Sequence, residues 1–405
     1  MVKVVAALST VHAANDGTVV LVPTLLPIAA QLFHFGYLDL GILVAAGYAV
    51  NVAVQPLVGR FYGKIEAGTL LSCGVAILAT SMVIIAFANS YGSLFLGALV
   101  LRIGSSFYHP IGPSVVSRTY SGTKVDHIMG IQSGFGDLGS FLLFLTASLL
   151  YSALGWKLPF LIFALVDLAV AAIALFFLRK VLSKKEDRLQ ISLDTSDRED
   201  KVMAEKLTVT DQLSVVPKRD IALPVLFIGT FMAGGSYAII LNFANSLMAG
   251  VYHSVLLANL PVSLWLLSFI FADFTTGLFS RKLGRVRLLL ISYLLSSISI
   301  ALFCLVYGNP AVASLSLVAN GFVLSFTYPL TYSAIGTIRS SKTTKYWNIG
   351  ALFGLLFSVQ VIGSALFSYL GGEISQYFNP VYPFLIASGI LLGVSILIGL
   401  QFKRD

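Results

Sequence analysis

Apolar runs long enough to cross a bilayer alternate with short polar breaks along the whole chain. Twelve runs stand out, at roughly 3–33, 38–63, 67–89, 92–119, 124–153, 156–181, 220–249, 255–282, 285–307, 310–339, 343–373 and 378–402. Each reaches the ~20 residues that a helix needs to span ~30 Å of hydrocarbon. The pattern predicts an all-α membrane protein with twelve transmembrane helices. One stretch breaks the rule: residues 182–219 carry Lys184, Lys185, Glu186, Asp187, Arg188, Asp197, Arg198, Glu199 and Asp200, and read as a charged linker. It divides the chain into a first bundle at 1–181 and a second at 220–405.

Charge sets the direction of threading. Of 26 Lys and Arg residues, only Arg102 and Lys157 lie outside the tails and every second connection. Basic residues stay on the cytoplasmic side, so both termini and the linker are expected inside the cell membrane. With 57% hydrophobic and 11% charged residues, against about 25% charged in soluble proteins, a water-soluble fold is excluded. The net charge of +8 is placed where anionic lipid and the positive-inside rule draw it, so no nucleic-acid partner is needed. His12, Asn15 and Asp16 interrupt the first run where a signal peptide would be purely apolar, which predicts a retained helix.

Chemistry of the enzyme kind is not encoded. Gly59 to Lys64 is one residue short of a phosphate loop and is followed by Ile65. Cys73 and Cys304 stand in separate runs, and no His-Glu-x-x-His motif occurs. No metal and no cofactor are expected, which leaves an ion gradient as the energy source and a monomer as the working unit.

The halves repeat each other. Ser106 to Pro110 in the fourth run matches Ser325 to Pro329 in the tenth, and Gly59 to Lys64 matches Gly277 to Lys282, each about 218 residues apart. Two six-helix halves joined by a cytoplasmic linker form the architecture of transporters that alternate a central site between two faces.

At this point the chain resembles the major facilitator superfamily over its whole length. Gly277 to Arg285 is similar to that superfamily's signature between helices 8 and 9, with Arg281 where an acidic residue is usual. A narrower resemblance is to the fosmidomycin-resistance branch of drug exporters. It rests on His12 with Asn15 and Asp16, on Gln55 and Pro56 followed by Gly59, on Phe107 to Pro110, and on Met129 leading to Gly134 through Gly139. Asp137 replaces the usual Asn of that branch, and Leu143 and Phe144 replace its Gly-Pro pair. The resemblance implies two pseudo-symmetric bundles, alternating access and drug efflux by antiport with protons.

Candidate residues follow from depth. Intramembrane ionisable groups are costly, so the default reading of each is functional. Counting at 1.5 Å per residue puts Asp16 and Asp137 roughly 20 Å and Arg102 roughly 24 Å above the cytoplasmic helix ends. Proton coupling is assigned to Asp16, Asp137, His12 and His109, with Asp16 first because it matches the family motif in place. A fixed ion pair joining three helices is the structural alternative. Arg102 is the expected substrate anchor, with Asn15, Tyr237, Asn242, Asn245, Asn320, Tyr328 and Tyr332 as hydrogen-bonding and stacking partners. Gln55, Pro110, Asp273 and Arg281 are assigned to gating, Asp273 by local pairing with Arg281. The reading is a proton-coupled exporter of a small polar or amphiphilic compound. Its alternatives are an importer of an organic anion or sugar, and a transport-inactive receptor or scaffold.

Because orientation follows cytoplasmic positive charge, a cysteine placed at Ser196 is expected to resist impermeant thiol reagents in intact cells. Ready labelling from outside would invert the threading.

Overall fold

The computed structural model describes residues 2–62, 64–119, 123–178, 223–338 and 349–404. The linker expected at 182–219 and the basic residues Arg339, Lys342 and Lys345 lie outside the described residues. Fourteen α-helices are described: α1 (Val2–Phe33), α2 (Tyr37–Phe61), α3 (Ala67–Ala86), α4 (Tyr91–Ser105), α5 (Tyr108–Thr119), α6 (Thr123–Leu154), α7 (Lys157–Ile173), α8 (Leu223–Tyr252), α9 (Val255–Leu283), α10 (Arg285–Val306), α11 (Pro310–Ser325), α12 (Thr327–Ile338), α13 (Ile349–Tyr377) and α14 (Tyr382–Arg404). They make twelve apolar crossings, since α4 with α5 and α11 with α12 each form one.

Both divided crossings break for the same reason. Pro110 and Pro329 have no N–H, so the carbonyls of Ser106 and Ser325 four residues earlier lose their helical partners. At the first break the chain tightens instead. The N–H groups of Ser106 and Phe107 reach the carbonyls of Ile103 and Gly104 at 3.2 and 3.3 Å. Elsewhere short connections join the helices, and α9 passes to α10 through Gly284 alone, at φ +80°.

Within each half the closest crossings are made without side chains. A Cβ on Gly139 of α6 would lie 2.0 Å from the Ala13 carbonyl of α1, and one on Gly363 of α13 would lie 2.1 Å from the Phe231 carbonyl of α8. These two helix pairs hold matching places in the two halves, so the internal repeat extends to backbone contact. The outside is apolar, with Leu305 83% and Phe176 71% exposed, as a lipid-facing surface requires.

A polar latch joins the halves. Pro27 cannot donate to the Pro23 carbonyl, and Asn245 of α8 supplies the missing hydrogen bond from the other half, Nδ2 to O 2.7 Å. Asn259 of α9 donates to the Thr24 carbonyl at 3.1 Å and accepts from Asn245 at 3.1 Å. On the same face α2 and α13 touch backbone to backbone at Gly41 and Gly372, and the Tyr37 N–H donates to Gln376 Oε1 at 3.1 Å. This face bears the α1–α2 connection. It is the one opposite the termini, because an even number of crossings returns the chain to its starting side.

Asn245→Leu keeps the volume and leaves the Pro23 carbonyl without its donor. A loss of roughly 1 kcal/mol is expected, the scale of interhelical hydrogen bonds in membranes. It is read as a lower thermal unfolding midpoint in detergent, and an unchanged midpoint would remove the latch from the stability of this closed face.

Candidate substrate and ion site

A cavity of about 230 Å³ lies between the halves. Its first-half wall comes from α1, α2, α4, α5 and α6, and its second-half wall from α8, α9, α11, α12 and α13. The two walls differ in chemistry. His12, Asp16, Arg102, His109 and Asp137 line the first, while Tyr237, Phe269, Tyr328, Tyr332 and Phe357 line the second.

The aromatic wall is packed ring to ring. Tyr237 stands 5.0 Å from Trp265 and 6.4 Å from Tyr328. Tyr332 lies 5.1 Å from Phe357 and its hydroxyl donates to Gln360 Oε1 at 3.1 Å. Asn320 serves this wall from behind. Its Oδ1 accepts from Trp265 Nε1 at 2.9 Å while its amide reaches Ser296 and Ser299, so it orients an aromatic ring and is not a lining residue.

Three further asparagines also stand away from the cavity, contrary to the expectation from sequence. Asn245 closes the latch described above. Asn242 donates to the Ala238 carbonyl of its own helix at 2.7 Å. Asn15 donates to Asp16 Oδ1 at 2.8 Å and so holds a site residue in place. Each is buried in helix packing, where a buried amide needs partners; Asn242 and Asn245 find backbone carbonyls and Asn15 finds the Asp16 carboxylate.

The charged wall separates into three groups. Asp16 lies between two histidines: His12 Nε2 is 3.0 Å from Oδ2, and His109 Nε2 is 3.6 Å from Oδ1. The expected layer of Arg102 between two aspartates does not form. Among the described residues no ion pair within 4.0 Å joins Arg102 to a carboxylate. Its guanidinium instead lies over the Tyr48 ring at 4.1 Å and reaches Asn51 Oδ1 at 3.5 Å. Asp16, Arg102 and Asp137 all line the cavity, but each meets different partners.

The third group crosses between halves. Asp273 of α9 interacts with Asp137 and Ser133 of α6, and Ser325 donates to its Oδ1. Its Oδ2 is buried and has no hydrogen-bond partner among the described residues. The expected local pairing of Asp273 with Arg281 is therefore corrected: Asp273 is buried at the cavity while Arg281, two turns on, is exposed. Gln55 lines the cavity with an unbonded Oε1, and Pro110 sits at the α4–α5 break beside it.

Several lining residues escaped the sequence reading. Tyr48 and Asn51 on α2 and Gln132 on α6 are uncharged, so the search for intramembrane charge passed over them. The four-residue spacing of Asn51 and Gln55, a polar pair on one face of an apolar helix, was the available signal.

A central cavity between two repeated six-helix halves is a transporter's arrangement. The family model of the Major Facilitator Superfamily matches residues 8–217 and 226–405. The chain belongs to this superfamily. It is therefore a membrane transporter and not an enzyme. The uncharacterized MFS-type transporter YfnC of Bacillus subtilis is 26% identical over 85% of this chain and 81% of its own length. The fosmidomycin resistance protein of Escherichia coli is 27% identical over 38% of this chain and 37% of its own. The probable vesicular acetylcholine transporter-A of Danio rerio is 27% identical over 38% of this chain and 30% of its own, so the chain matches only about a third of these two relatives. Among solved structures, the nucleoside transporter NupG superposes with a TM-score of 0.71 at 15% identity, over 98% of this chain and 100% of that one. A bacterial homologue of the human lysosomal transporter Spinster superposes at 0.68 and 14% identity, over 99% and 96%. Both share the fold.

In this transporter Arg102 has no carboxylate to strand, so Arg102→Ala is expected to remain folded. The expected stability loss is about 1–2 kcal/mol, the scale of a desolvated cation–π contact. A fixed buried ion pair would lose about 3–5 kcal/mol, and a fall of that size in thermal unfolding would restore the structural reading of Arg102.

Proposed function

We propose that the protein is a proton-coupled exporter of a small polar or amphiphilic compound that works by alternating access, with the exchangeable proton held by Asp137 and Asp273. The observation that supports this reading is the meeting of two carboxyls from opposite halves at the cavity wall. A proton shared between them is a hydrogen bond that holds α6 against α9, whereas two bare charges in that interior repel. Protonation therefore biases the equilibrium between open states, and any substrate that prefers one state is linked to the proton reciprocally.

The substrate's apolar body rests on Tyr237, Tyr328 and Phe357, and its polar group faces Arg102 and Asn51. One chain supplies both walls, so a monomer suffices. Positive charge places both termini and the linker in the cytoplasm of a cell-membrane protein. A second reading, import of an organic anion, is favoured by the Arg102 guanidinium, which no nearby carboxylate neutralises. The sign of proton flux relative to substrate flux in liposomes separates the two.

Asp137→Asn and Asp273→Asn keep the shape and a hydrogen bond while removing one titratable site each. With a substrate found by a thermal-stabilisation screen, each variant is expected to retain counterflow at a rate near wild type. Accumulation driven by a pH gradient is expected to fall to simple equilibration. If both single variants and the double variant accumulate substrate as the wild type does, the pair does not carry the proton.

A further inference from the structure

We propose that His12, Asp16 and His109 form a binding site for a divalent transition-metal ion, of the zinc or cobalt class, on the wall of the cavity. The donor atoms of all three residues lie within 4.8 Å of one another. Donors around a tetrahedral ion at ~2.1 Å stand roughly 3.4 Å apart. His12 Nε2 lies 3.0 Å from Asp16 Oδ2 and His109 Nε2 lies 3.6 Å from the other oxygen, Oδ1, so the carboxylate stands between the two imidazoles and binding an ion draws the three donors together. Two imidazoles and one carboxylate suit this class of metal, and three protein ligands leave a coordination position open toward the cavity.

The histidine tautomer aims a ligand atom at the carboxylate. His12 Nδ1 lies 2.6 Å from the Gln132 carbonyl, which can only accept, so Nδ1 carries the hydrogen. In neutral His12 the Nε2 lone pair then faces a carboxylate oxygen at 3.0 Å. Two acceptors at that distance repel unless a proton on Nε2 or a metal ion sits between them, and a metal competes with the proton for this position. A backbone carbonyl bonded to the far nitrogen is also how metal-ligating histidines are oriented.

The rest of the surroundings hold the ring still and keep the space clear. Tyr108 stacks on His12 at 4.0 Å and 18°, and its hydroxyl donates to Gln132 Oε1 at 2.6 Å. Gln132 in turn donates to Ser9 Oγ at 2.8 Å. Position 136 is glycine, where a Cβ would fall 2.7 Å from Asp16 Oδ2 and 2.8 Å from His12 Nε2, among the donors themselves. The sequence predicts no metal, because the ligands come from α1 and α5, far apart along the chain, and match no short motif. The site does not depend on Asp137 and Asp273 carrying the proton, since binding is read at equilibrium without a gradient.

The test is titration of the untagged full-length protein in detergent with Co²⁺, read by its visible absorbance. A band saturating at one ion per chain and bleached by Zn²⁺ is expected. His12→Ala, His109→Ala and Gly136→Ala should each raise the half-saturating concentration roughly tenfold or more, while His34→Asn and His253→Asn, at exposed loop positions, should leave it unchanged. X-ray absorption on the cobalt-loaded wild type, which needs no variant, should count two imidazole ligands. No saturable band at millimolar cobalt, fewer than two imidazoles, or wild-type affinity in both histidine variants would overturn the site and leave a hydrogen-bonded triad.

Discussion

Polar groups inside a bilayer have no water to turn to, and each must find a partner in the protein or face a cavity that admits solvent. That constraint orders this structure. Pro27 strands the Pro23 carbonyl in the middle of α1, and an asparagine from the other half satisfies it. The same asparagine binds Asn259, which binds Thr24, so one missing N–H becomes a latch of several hydrogen bonds across the two halves. Pro110 and Pro329 strand serine carbonyls at matching places, and both crossings break there.

Where the partners are complete, polar residues act as structure. Asn245 and Asn320 have backbone, serine and side-chain partners in the helix packing. Where partners are incomplete, the residues collect around the cavity. Arg102 has an aromatic face and an amide but no carboxylate, Asp16 faces two imidazoles, and Asp137 meets Asp273. The cavity is thus the place where electrostatic needs stay open, and an ion or a substrate group can answer them.

The division between the walls gives the halves different tasks. The first half presents most of the ionisable groups and the second presents rings, with Asp273 as the exception that ties them together. A transporter moves its halves against each other, and the two carboxyls of Asp137 and Asp273 meet between α6 and α9, one from each half. The closed face, held by Gly41 against Gly372 and by the asparagine latch, needs no titratable group.

The twelve crossings, the internal repeat and the concentration of intramembrane charge in the first half could all be read from the chain, because lipid sorts residues by hydropathy along one dimension. What the chain alone did not reveal was direction around each helix axis once the helices tilt and cross. Asp16, Arg102 and Asp137 line one cavity but meet three different partners, and Asp273, counted toward Arg281, turns to Asp137. Buried asparagines carry the same sequence signal whether they bind a ligand or a backbone carbonyl. Only the packing of α8 against the proline-bearing stretch of α1 decided which of these Asn245 would do.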